Sequence, residues 1–501
     1  MNSRTFTRRE AATAAMAAAL AALPAYGASA STPFTWDWLK ARARDLAARP
    51  HVAPPPPPRG ATSVTYDVLN HVSYRPDATI WPDSVGGVRL FPLSISAPTP
   101  VSVTLVEGGR ARPFDFRRDL FTGAEKLSPD IAGFAGLRLM NRGGSSDWLA
   151  FQGASYFRAA GALDQYGLSA RALAIDTGLG KPEEFPRFTH FWLEQGPGDA
   201  ITIYALLDSP SAAGAWRFVN RRTSAGVIQD VSMSLYLRAD VERLGLAPLT
   251  SMFWYGEAAR DRAVDWRPEI HDSDGLAMLN GSGERIWRPL DNPPRAILNS
   301  FADRDPRGFG LLQRDRNFDH YQDDGVFYEK RPSLWVEPIG KWGAGSVTLF
   351  ELPTGRETAD NIVAFWTPAT AARRGARYEL EYRLSWIADE PQPSTAARTA
   401  DCWRGVAGRP GGDPIPDAAR LVADFVGPPL HGLGRSSGVE AVVELSSGKP
   451  ISVTTYPVVG AQDRWRMIVD IPHKSGETND LRAYLRRGDA ALSETLLYQF
   501  L

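Results

Sequence analysis

Short stretches in which apolar and polar residues alternate recur along most of the chain. They are rich in β-branched and aromatic residues and are separated by glycine, proline, asparagine and aspartate. This alternation is typical of strands that bury one face of an antiparallel sheet. No regular succession of strands and helices occurs, so the pattern predicts an all-β protein built from sandwiches. The clearest examples are residues 101–106, 201–206, 231–237 and 378–384.

One segment near the start has helical periodicity instead. Residues 36–48 read WDWLKARARDLAA, and Trp36, Leu39 and Leu46 recur on or near one face. This spacing predicts an amphipathic helix. Five consecutive prolines follow at 54–58, and we expect them to form a rigid extended spacer.

A polar segment with two prolines, residues 389–396, divides the chain into two unequal parts. The larger part, residues 31–388, predicts a large N-terminal β-sandwich. Residues 397–501 have the size and the strand content of an immunoglobulin-like sandwich. The strand patterns in this second part lie at 438–445, 451–456 and 465–470.

Residues 1–30 have the organisation of an export signal peptide. Three arginines, among them the adjacent pair Arg8 and Arg9, precede an alanine-rich apolar run at 11–23, and small residues at 28–30 suit cleavage. The apolar run is too short to cross a bilayer of about 30 Å. The arginine pair indicates twin-arginine export, although an alanine stands where that signal usually has a bulky apolar residue. We therefore expect a periplasmic protein.

Composition argues against several classes of protein. Lys and Arg total 56 against 57 Asp and Glu, without the basic excess of a nucleic-acid-binding domain. No later apolar run approaches the length of a membrane span. Cys402 is the only cysteine, so neither an intrachain disulfide nor a cysteine-rich metal site is possible. The seven histidines are scattered, and we expect no metal and no cofactor.

The densest polar cluster is residues 266–275, WRPEIHDSDG. Its Asp272, Asp274 and Gly275 superficially resemble a calcium loop, but the later ligands and the terminal Glu are missing. A capped turn with Gly275 at positive φ and a carboxylate-based catalytic site are the other interpretations. Carboxylates, arginines and tryptophans also recur further along, and together they suit glycoside chemistry. They occur at 307–316, 328–335 and 358–366.

Two kinds of side chain in these segments have more than one possible role. Arg314 and Arg316 could bind sugar hydroxyls, or they could pair with Asp315 or Glu329. Tryptophans could stack on sugar rings, but core or turn packing is favoured because most tryptophans are largely buried. Trp335 is the tryptophan retained as a substrate-binding candidate, beside Arg314. The tryptophans concerned are Trp254, Trp266, Trp287, Trp335 and Trp366.

Nine stretches together resemble the periplasmic glucan biosynthesis proteins of the OpgG/OpgD (MdoG/MdoD) family. They lie in order along the larger part of the chain, and the twin-arginine signal makes the chain more similar to OpgD. The stretches are GASYFRAAG (153–161), YGLSARALAIDTG (166–178), EEFPRFTHFWLE (183–194), YALLDSPSAAGAWRF (204–218), GLAPLTSMFWYGE (245–257), WRPEIHDSDGLAMLNGSGERIWRPLDNP (266–293), PRGFGLLQRDRNF (306–318), RPSLWVEPIGKWGAGSV (331–347) and ETADNIVAFWTP (357–368).

The resemblance implies a galactose-mutarotase-like β-sandwich followed by an immunoglobulin-like domain. It also implies action on osmoregulated periplasmic glucans, whose backbone is β-1,2-linked glucose. Relatives similar to OpgD include anomer-inverting endo-β-1,2-glucanases, whereas some relatives transfer the cleaved chain to its own hydroxyl and form cyclic glucans. Since other members show little hydrolysis, a non-catalytic glucan-binding protein is a further alternative. A homodimer is also left open.

By resemblance, the family's general acid falls on Asp360 within ETADN and its general base on Asp272 within HDSDG. Asp274 is a second candidate for the base, and Tyr328 matches a tyrosine of the loop that closes over substrate. The acid must be protonated at working pH, so its pKa must be raised by burial or a neighbouring negative charge. The base must stay ionised, and in this family it is reached through a relay of water and a substrate hydroxyl. The loop 317–330 departs from the OpgG-like pattern, which leaves hydrolysis and transfer both open.

Overall fold

The computed structural model describes residues 31–83, 87–392, 394–409 and 411–501. The predicted export signal at 1–30 lies outside them. Nearly all the regular structure is β-sheet, which confirms the all-β class. In the part of the chain that the structure describes, no helix is both long and apolar enough to cross a bilayer.

The largest sheet has 16 strands among the described residues, and most neighbouring strands run antiparallel. Its longest strands, Ala212–Thr223, Gly226–Leu237 and Arg377–Ile387, are neighbours, and Val231 lies opposite Tyr382. The short strand Ala490–Ala491 pairs with Asn479–Arg487, the strand next to the end of this sheet. In spatial order the other strands are Thr32–Pro33, Arg110–Pro113, Ser102–Glu107, Arg187–Gln195, Ile201–Asp208, Ala212–Thr223, Gly226–Leu237, Arg377–Ile387, Ser333–Ile339, Gly308–Leu312, Gly275–Leu279, Arg285–Pro289, Thr495–Phe500, Asn479–Arg487 and Val439–Leu445.

A second sheet packs against the large one, and the main hydrophobic core lies between them. The Phe151 and Phe218 rings, one from each sheet, have centroids 5.1 Å apart, and Phe157 meets Trp386 at 6.4 Å. Two sheets that bury their facing apolar side chains in this way form a sandwich. Its strands are, in spatial order, Ile297–Arg304, Ala344–Glu351, Ile362–Pro368, Leu244–Ser251, Ser169–Arg171, Tyr156–Ala159, Asp147–Gln152, Phe134–Met140 and Val88–Pro92, with Leu173–Ile175 paired to Leu244–Ser251.

The predicted helix is confirmed and covers Trp36–Ala47. Thr35 caps its start, because the Thr35 hydroxyl accepts a hydrogen bond from the Trp38 N–H at 3.1 Å. Leu39 and Ala43 are buried against strands of the large sheet. The remaining α-helices among the described residues are single turns at Tyr66–Leu69 and Phe318–Tyr321.

The C-terminal part forms a smaller sandwich. A four-stranded sheet shares a hydrophobic core with three strands that continue the large sheet. The two parts are joined because Thr495–Phe500 pairs in parallel with Arg285–Pro289. All three strand patterns that the sequence indicated here occur as strands. The four-stranded sheet contains Arg398–Val406, Ala418–Val426, Arg464–Pro472 and Ser452–Pro457.

Candidate functional site

Asp360 and Asp272 come from the two opposed sheets of the larger sandwich. Asp360 lies two residues before the strand Ile362–Pro368 of the second sheet. Asp272 lies between the short strand Ile270–His271 and the strand Gly275–Leu279 of the large sheet. Residues that are 88 positions apart in the sequence therefore approach each other at the ends of facing strands.

The backbone beside both carboxyl groups is anchored to one three-residue segment. The Asp272 N–H donates to the Met252 carbonyl at 2.8 Å, and the Asn361 N–H donates to the Ser251 carbonyl at 3.1 Å. The Asn361 side chain accepts from the Phe253 N–H at 2.9 Å and donates to the Phe253 carbonyl at 3.0 Å. Asn361 is buried. This anchoring fixes the two carboxyl-bearing positions relative to each other.

The pKa of Asp360 is shifted in the direction that a proton donor requires. Burial raises its pKa, the negative charge of Asp272 raises it further, and Arg171 and Arg158 oppose this rise. The side chain is nevertheless exposed to solvent. A carboxyl that is both accessible and partly desolvated by surrounding protein is typical of a groove wall. Such a group stays protonated to a higher pH than an ordinary aspartic acid.

Asp272 is buried and has a positive partner. The Arg331 guanidinium donates a charge-assisted hydrogen bond to its carboxylate. The same guanidinium lies 4.0 Å from the centre of the Tyr328 ring. The Tyr328 hydroxyl donates to Glu357 at 3.2 Å, and burial raises the pKa of Tyr328. Asp272 and Tyr328 therefore lie close together, and Arg331 connects them.

Arg267 connects three segments around these side chains. Its guanidinium contacts Glu357 at 2.8 Å, Asp323 at 2.9 Å and Asp265 at 2.6 Å. Asp323 in turn accepts two backbone N–H groups of the loop 317–330, each at 2.9 Å. Sequence reasoning gave no role to Arg267, although it lies inside one of the family-like stretches. Its partners are far apart in the sequence, so spacing could not reveal them.

A cavity of about 590 Å³ lies in the larger sandwich, and Asp360 is not among its lining residues. Tyr156 and Arg158 line it, and the charges of Asp360 and Arg158 interact. Burial raises the pKa of Tyr156; Arg171, whose guanidinium lies 4.9 Å from the Tyr156 ring, opposes the rise and Asp360 adds to it. Aromatic faces beside polar groups can stack on a pyranose ring and bind its hydroxyls. Other lining residues are Arg138, Asp147, Gln152, Tyr166 and Ser169.

Asp274 lies at the junction with the C-terminal sandwich instead of beside Asp360. Its carboxylate accepts the backbone N–H groups of Arg314 at 2.6 Å and Asp315 at 2.8 Å, and burial raises the pKa of Asp274 to about 6. The expected positive-φ turn at Gly275 is wrong. Gly275 begins a strand, and glycine is needed there because a Cβ would lie 2.3 Å from the Trp287 ring.

Of the two roles left open for Arg314, the structure shows ion pairing, with partners other than those suggested. The buried guanidinium contacts Glu390 and Glu494, each at 2.6 Å, across the junction between the sandwiches. Trp335 is also buried in the shared core, where a Cβ at Gly308 would lie 2.3 Å from its ring. The structure thus does not bring either residue to the cavity lined by Tyr156 and Arg158.

This ion pairing leads to a stability prediction. We expect Arg314→Ala to destabilise the protein by ~3–5 kcal/mol, because Glu494 keeps a buried charge without an ionic partner and Glu390 keeps only Arg285. Arg373→Ala is the control, since its ion pair with Asp240 is exposed and should matter by less than about 1 kcal/mol. Chemical unfolding of both variants measures the difference. A similar small effect for both would contradict this role of Arg314.

The tryptophans divide by exposure. Trp287, Trp335 and Trp366 are buried, as packing predicts, and Trp254 is half-buried. Trp266 is 70% exposed and immediately precedes Arg267. Among these five, only Trp266 has a ring that is largely free to stack on a ligand.

Comparison with known proteins identifies a family for the chain. A family model described as "Periplasmic glucan biosynthesis protein, MdoG" matches residues 34–500. The chain is 44% identical to "Glucans biosynthesis protein D 2" of Ralstonia nicotianae, over 94% of this chain and 91% of that protein. It is 45% identical to "Probable glucans biosynthesis protein D" of Shewanella oneidensis, over 93% and 88%. For "Glucans biosynthesis protein D" of Xanthomonas oryzae pv. oryzae the identity is 44%, over 98% and 96%.

The family match extends over both sandwiches and contains every residue of the candidate site. The similarity to each of these three relatives, all named D, covers at least 93% of this chain. The resemblance drawn from the sequence is therefore confirmed, and the chain belongs to the MdoG family of periplasmic glucan biosynthesis proteins.

Proposed function

We propose that this protein is a periplasmic, anomer-inverting endo-β-1,2-glucanase, with Asp360 as general acid and Asp272 as general base. One observation carries the proposal: burial and the charge of the ion-paired Asp272 raise the pKa of the exposed Asp360 carboxyl, and Arg158, whose charge interacts with Asp360, lines a cavity with aromatic and polar walls. Two carboxyl groups in different protonation states are what inverting glycoside cleavage requires. Family membership supports glucan as substrate and the periplasm as location. A homodimer stays a prediction.

In the proposed reaction, Asp360 gives its proton to the interglucosyl oxygen as the bond from that oxygen to C1 breaks. A water oxygen attacks C1 from the opposite face, which inverts the anomeric configuration. The proton of this water passes to Asp272 through a second water and a substrate hydroxyl. Exchange with solvent then returns Asp360 to its protonated form and Asp272 to its ionised form.

A second candidate function is anomer-inverting transfer that forms cyclic β-1,2-glucan. The observation that favours it is the burial of Asp272, which is only 5% exposed and is paired with Arg331. A base that water reaches only through a relay is sensitive to the surrounding loop. If the relay is incomplete, a hydroxyl of the glucan chain itself replaces water as the acceptor at C1.

Product masses test both candidates. The protein is incubated with linear β-1,2-glucan and the products are analysed by mass spectrometry. Hydrolysis adds one water to the summed fragments, whereas cyclising transfer gives rings that are one water lighter than the linear chain of equal length. An unchanged polymer would contradict both enzymatic candidates and favour a glucan-binding protein.

Trp266 gives a binding prediction for the same substrate. We expect Trp266→Ala to weaken the affinity for β-1,2-glucan roughly two- to tenfold, because loss of one stacking ring costs ~0.5–1.5 kcal/mol. The melting temperature should stay unchanged, since the ring is largely exposed. The control is Tyr66→Ala, which removes another exposed ring (76%) at a position far from Trp266 in the sequence. Equal affinities of the wild type and both variants would exclude Trp266 as a sugar platform.

A further inference from the structure

A second polar cluster lies near the junction of the two sandwiches. Glu269, Asp315 and His320 each offer one ligand atom, and these three atoms lie within 4.8 Å of one another. Glu269 is only 3% exposed. His320 Nδ1 lies 2.6 Å from Asp315 Oδ2. We call these three residues the junction cluster. Their proximity alone identifies no ligand, so the kind of ligand is inferred from the surrounding cavity.

A small cavity of about 30 Å³ borders the cluster and is lined by Glu269 and Asp315. A cavity needs only about 10–15 Å³ to hold one water, so an ion or a water fits. Thr399 of the C-terminal sandwich also lines it; this residue is 2% exposed, and its hydroxyl has no hydrogen-bond partner among the described residues. Asp274 lines the same cavity; its Oδ1 accepts no hydrogen bond from the described residues and lies 3.6 Å from His271 Nδ1. Since buried polar atoms are normally satisfied, the cavity requires a polar or charged ligand.

The charge around the cavity specifies a cation. Its described lining contains five carboxylates, those of the cluster together with Glu257, Asp274 and Asp401, but His271 is the only basic side chain in that lining. The Glu257 carboxylate accepts a hydrogen bond from the Cys402 backbone N–H at 2.9 Å, and this donor carries no full charge. His271 supplies one positive charge, with its ring nitrogens 3.1 Å from Glu269 and 3.6 Å from Asp274. Five carboxylates this close still repel one another unless a further positive charge lies among them.

We propose that the junction cluster binds one divalent first-row transition ion, Zn²⁺ or Mn²⁺, through Glu269, Asp315 and His320. Imidazole and carboxylate ligands suit these ions, whereas Ca²⁺ and Mg²⁺ are held by oxygen alone. The Thr399 hydroxyl and Asp274 Oδ1 are placed to bind water molecules that complete the coordination. An open groove of about 650 Å³, lined by Asp315, His320 and Thr399, gives the ion a path from solvent.

The bound ion would brace the site described above. Glu269 lies three residues before Asp272, and Asp315 and His320 lie on the segment that leads to Tyr328. One ion would therefore fix the segment of the buried carboxylate and the loop of the tyrosine against the C-terminal sandwich. This inference stands on the junction cluster and its cavity and does not depend on the proposed reaction.

Metal titration of the full-length protein tests the inference. The protein is dialysed against chelator and then titrated separately with ZnCl2, MnCl2, CaCl2 and MgCl2 by calorimetry, and bound Mn²⁺ is followed by electron paramagnetic resonance. We expect one Zn²⁺ or Mn²⁺ per chain, weaker binding of Ca²⁺ and Mg²⁺, and a melting temperature that rises with the concentration of the bound ion. Asp315→Asn and His320→Ala should each weaken the binding by roughly 10–100-fold or more.

His431→Ala is the matched control, because it removes an exposed imidazole elsewhere on the C-terminal sandwich, and its metal affinity should equal that of the wild type. Circular dichroism shows whether each variant is folded. The titration of the wild type tests the inference even if a variant does not fold. Absence of Zn²⁺ and Mn²⁺ binding by the wild type would overturn the inference. So would equal weakening in His431→Ala, which indicates surface binding only, or tighter binding of Ca²⁺ or Mg²⁺.

Discussion

Asp360→Asn should lower the turnover of β-1,2-glucan by roughly 10²–10⁴-fold, the contribution typical of a positioned general acid. The amide has nearly the shape of the carboxyl but cannot donate a proton to the interglucosyl oxygen. The melting temperature should stay unchanged or rise slightly at neutral pH, because burial and the charge of Asp272 disfavour the ionised form that the variant removes. Turnover measured by reducing-end release and melting followed by circular dichroism check both parts.

Asp413→Asn is the control for this variant, because it makes the same chemical change at an exposed position in the C-terminal part. It should keep full turnover. Retention of activity by Asp360→Asn would refute the assignment of the acid. Loss of activity together with a large fall in melting temperature would show that the substitution acts through the fold and not through the proton.

Asp272→Asn should reduce hydrolysis by a similar factor, roughly 10²–10⁴-fold, because no carboxylate remains to accept the proton of the attacking water. It also leaves the Arg331 guanidinium without its buried counter-charge, so the free energy of unfolding should fall by up to ~3–5 kcal/mol. Activity is therefore compared at a temperature where urea unfolding shows the variant to be folded.

The pH profile separates this catalytic role from a structural one. The charge of Asp272 contributes to the raised pKa of Asp360. Without that charge the pKa of Asp360 falls, the acid loses its proton at lower pH, and the alkaline limb of the residual activity moves to lower pH. A residual activity with the wild-type alkaline limb would show that the two carboxyl groups do not interact as described. Persistent ring formation with lost hydrolysis would favour the transfer candidate.

Alternation along the chain was sufficient to predict the all-β class, because a half-buried strand leaves a local, period-two pattern. The strands at 201–206 and 378–384 extend by only a few residues beyond what the sequence indicated. The helix at Trp36–Ala47 was equally clear, since its buried positions recur at helical spacing. The parallel pairing of Thr495–Phe500 with Arg285–Pro289 leaves no local pattern and could not be predicted.

The candidate site was found only in part for the same reason. Asp360 and Asp272 came from resemblance, since nothing in their spacing shows that facing sheets bring them together. Sequence analysis did not identify Arg331 and Arg267, because their ion pairs join segments far apart in the sequence. Gly275 was misread as a turn glycine, because its close contact with a tryptophan ring depends on the neighbouring strand.

The junction cluster was not identified from the sequence for the same reason. Asp315 lies 46 residues after Glu269 and five residues before His320, which is no recognised ligand spacing. Arg314 was retained for substrate binding and Asp274 as a second candidate for the base, because charge and sequence position could not show that both lie at the junction of the sandwiches.

Cleavage of a substrate that needs no acid tests the central claim most directly. The substrates are a β-1,2-linked gluco-oligosaccharide and the same oligosaccharide with a dinitrophenyl leaving group at its reducing end. If Asp360 is the proton donor, Asp360→Asn should lose roughly 10²–10⁴-fold on the first substrate but much less on the second, whose leaving group departs without protonation. Equal losses on both substrates would contradict proton donation by Asp360.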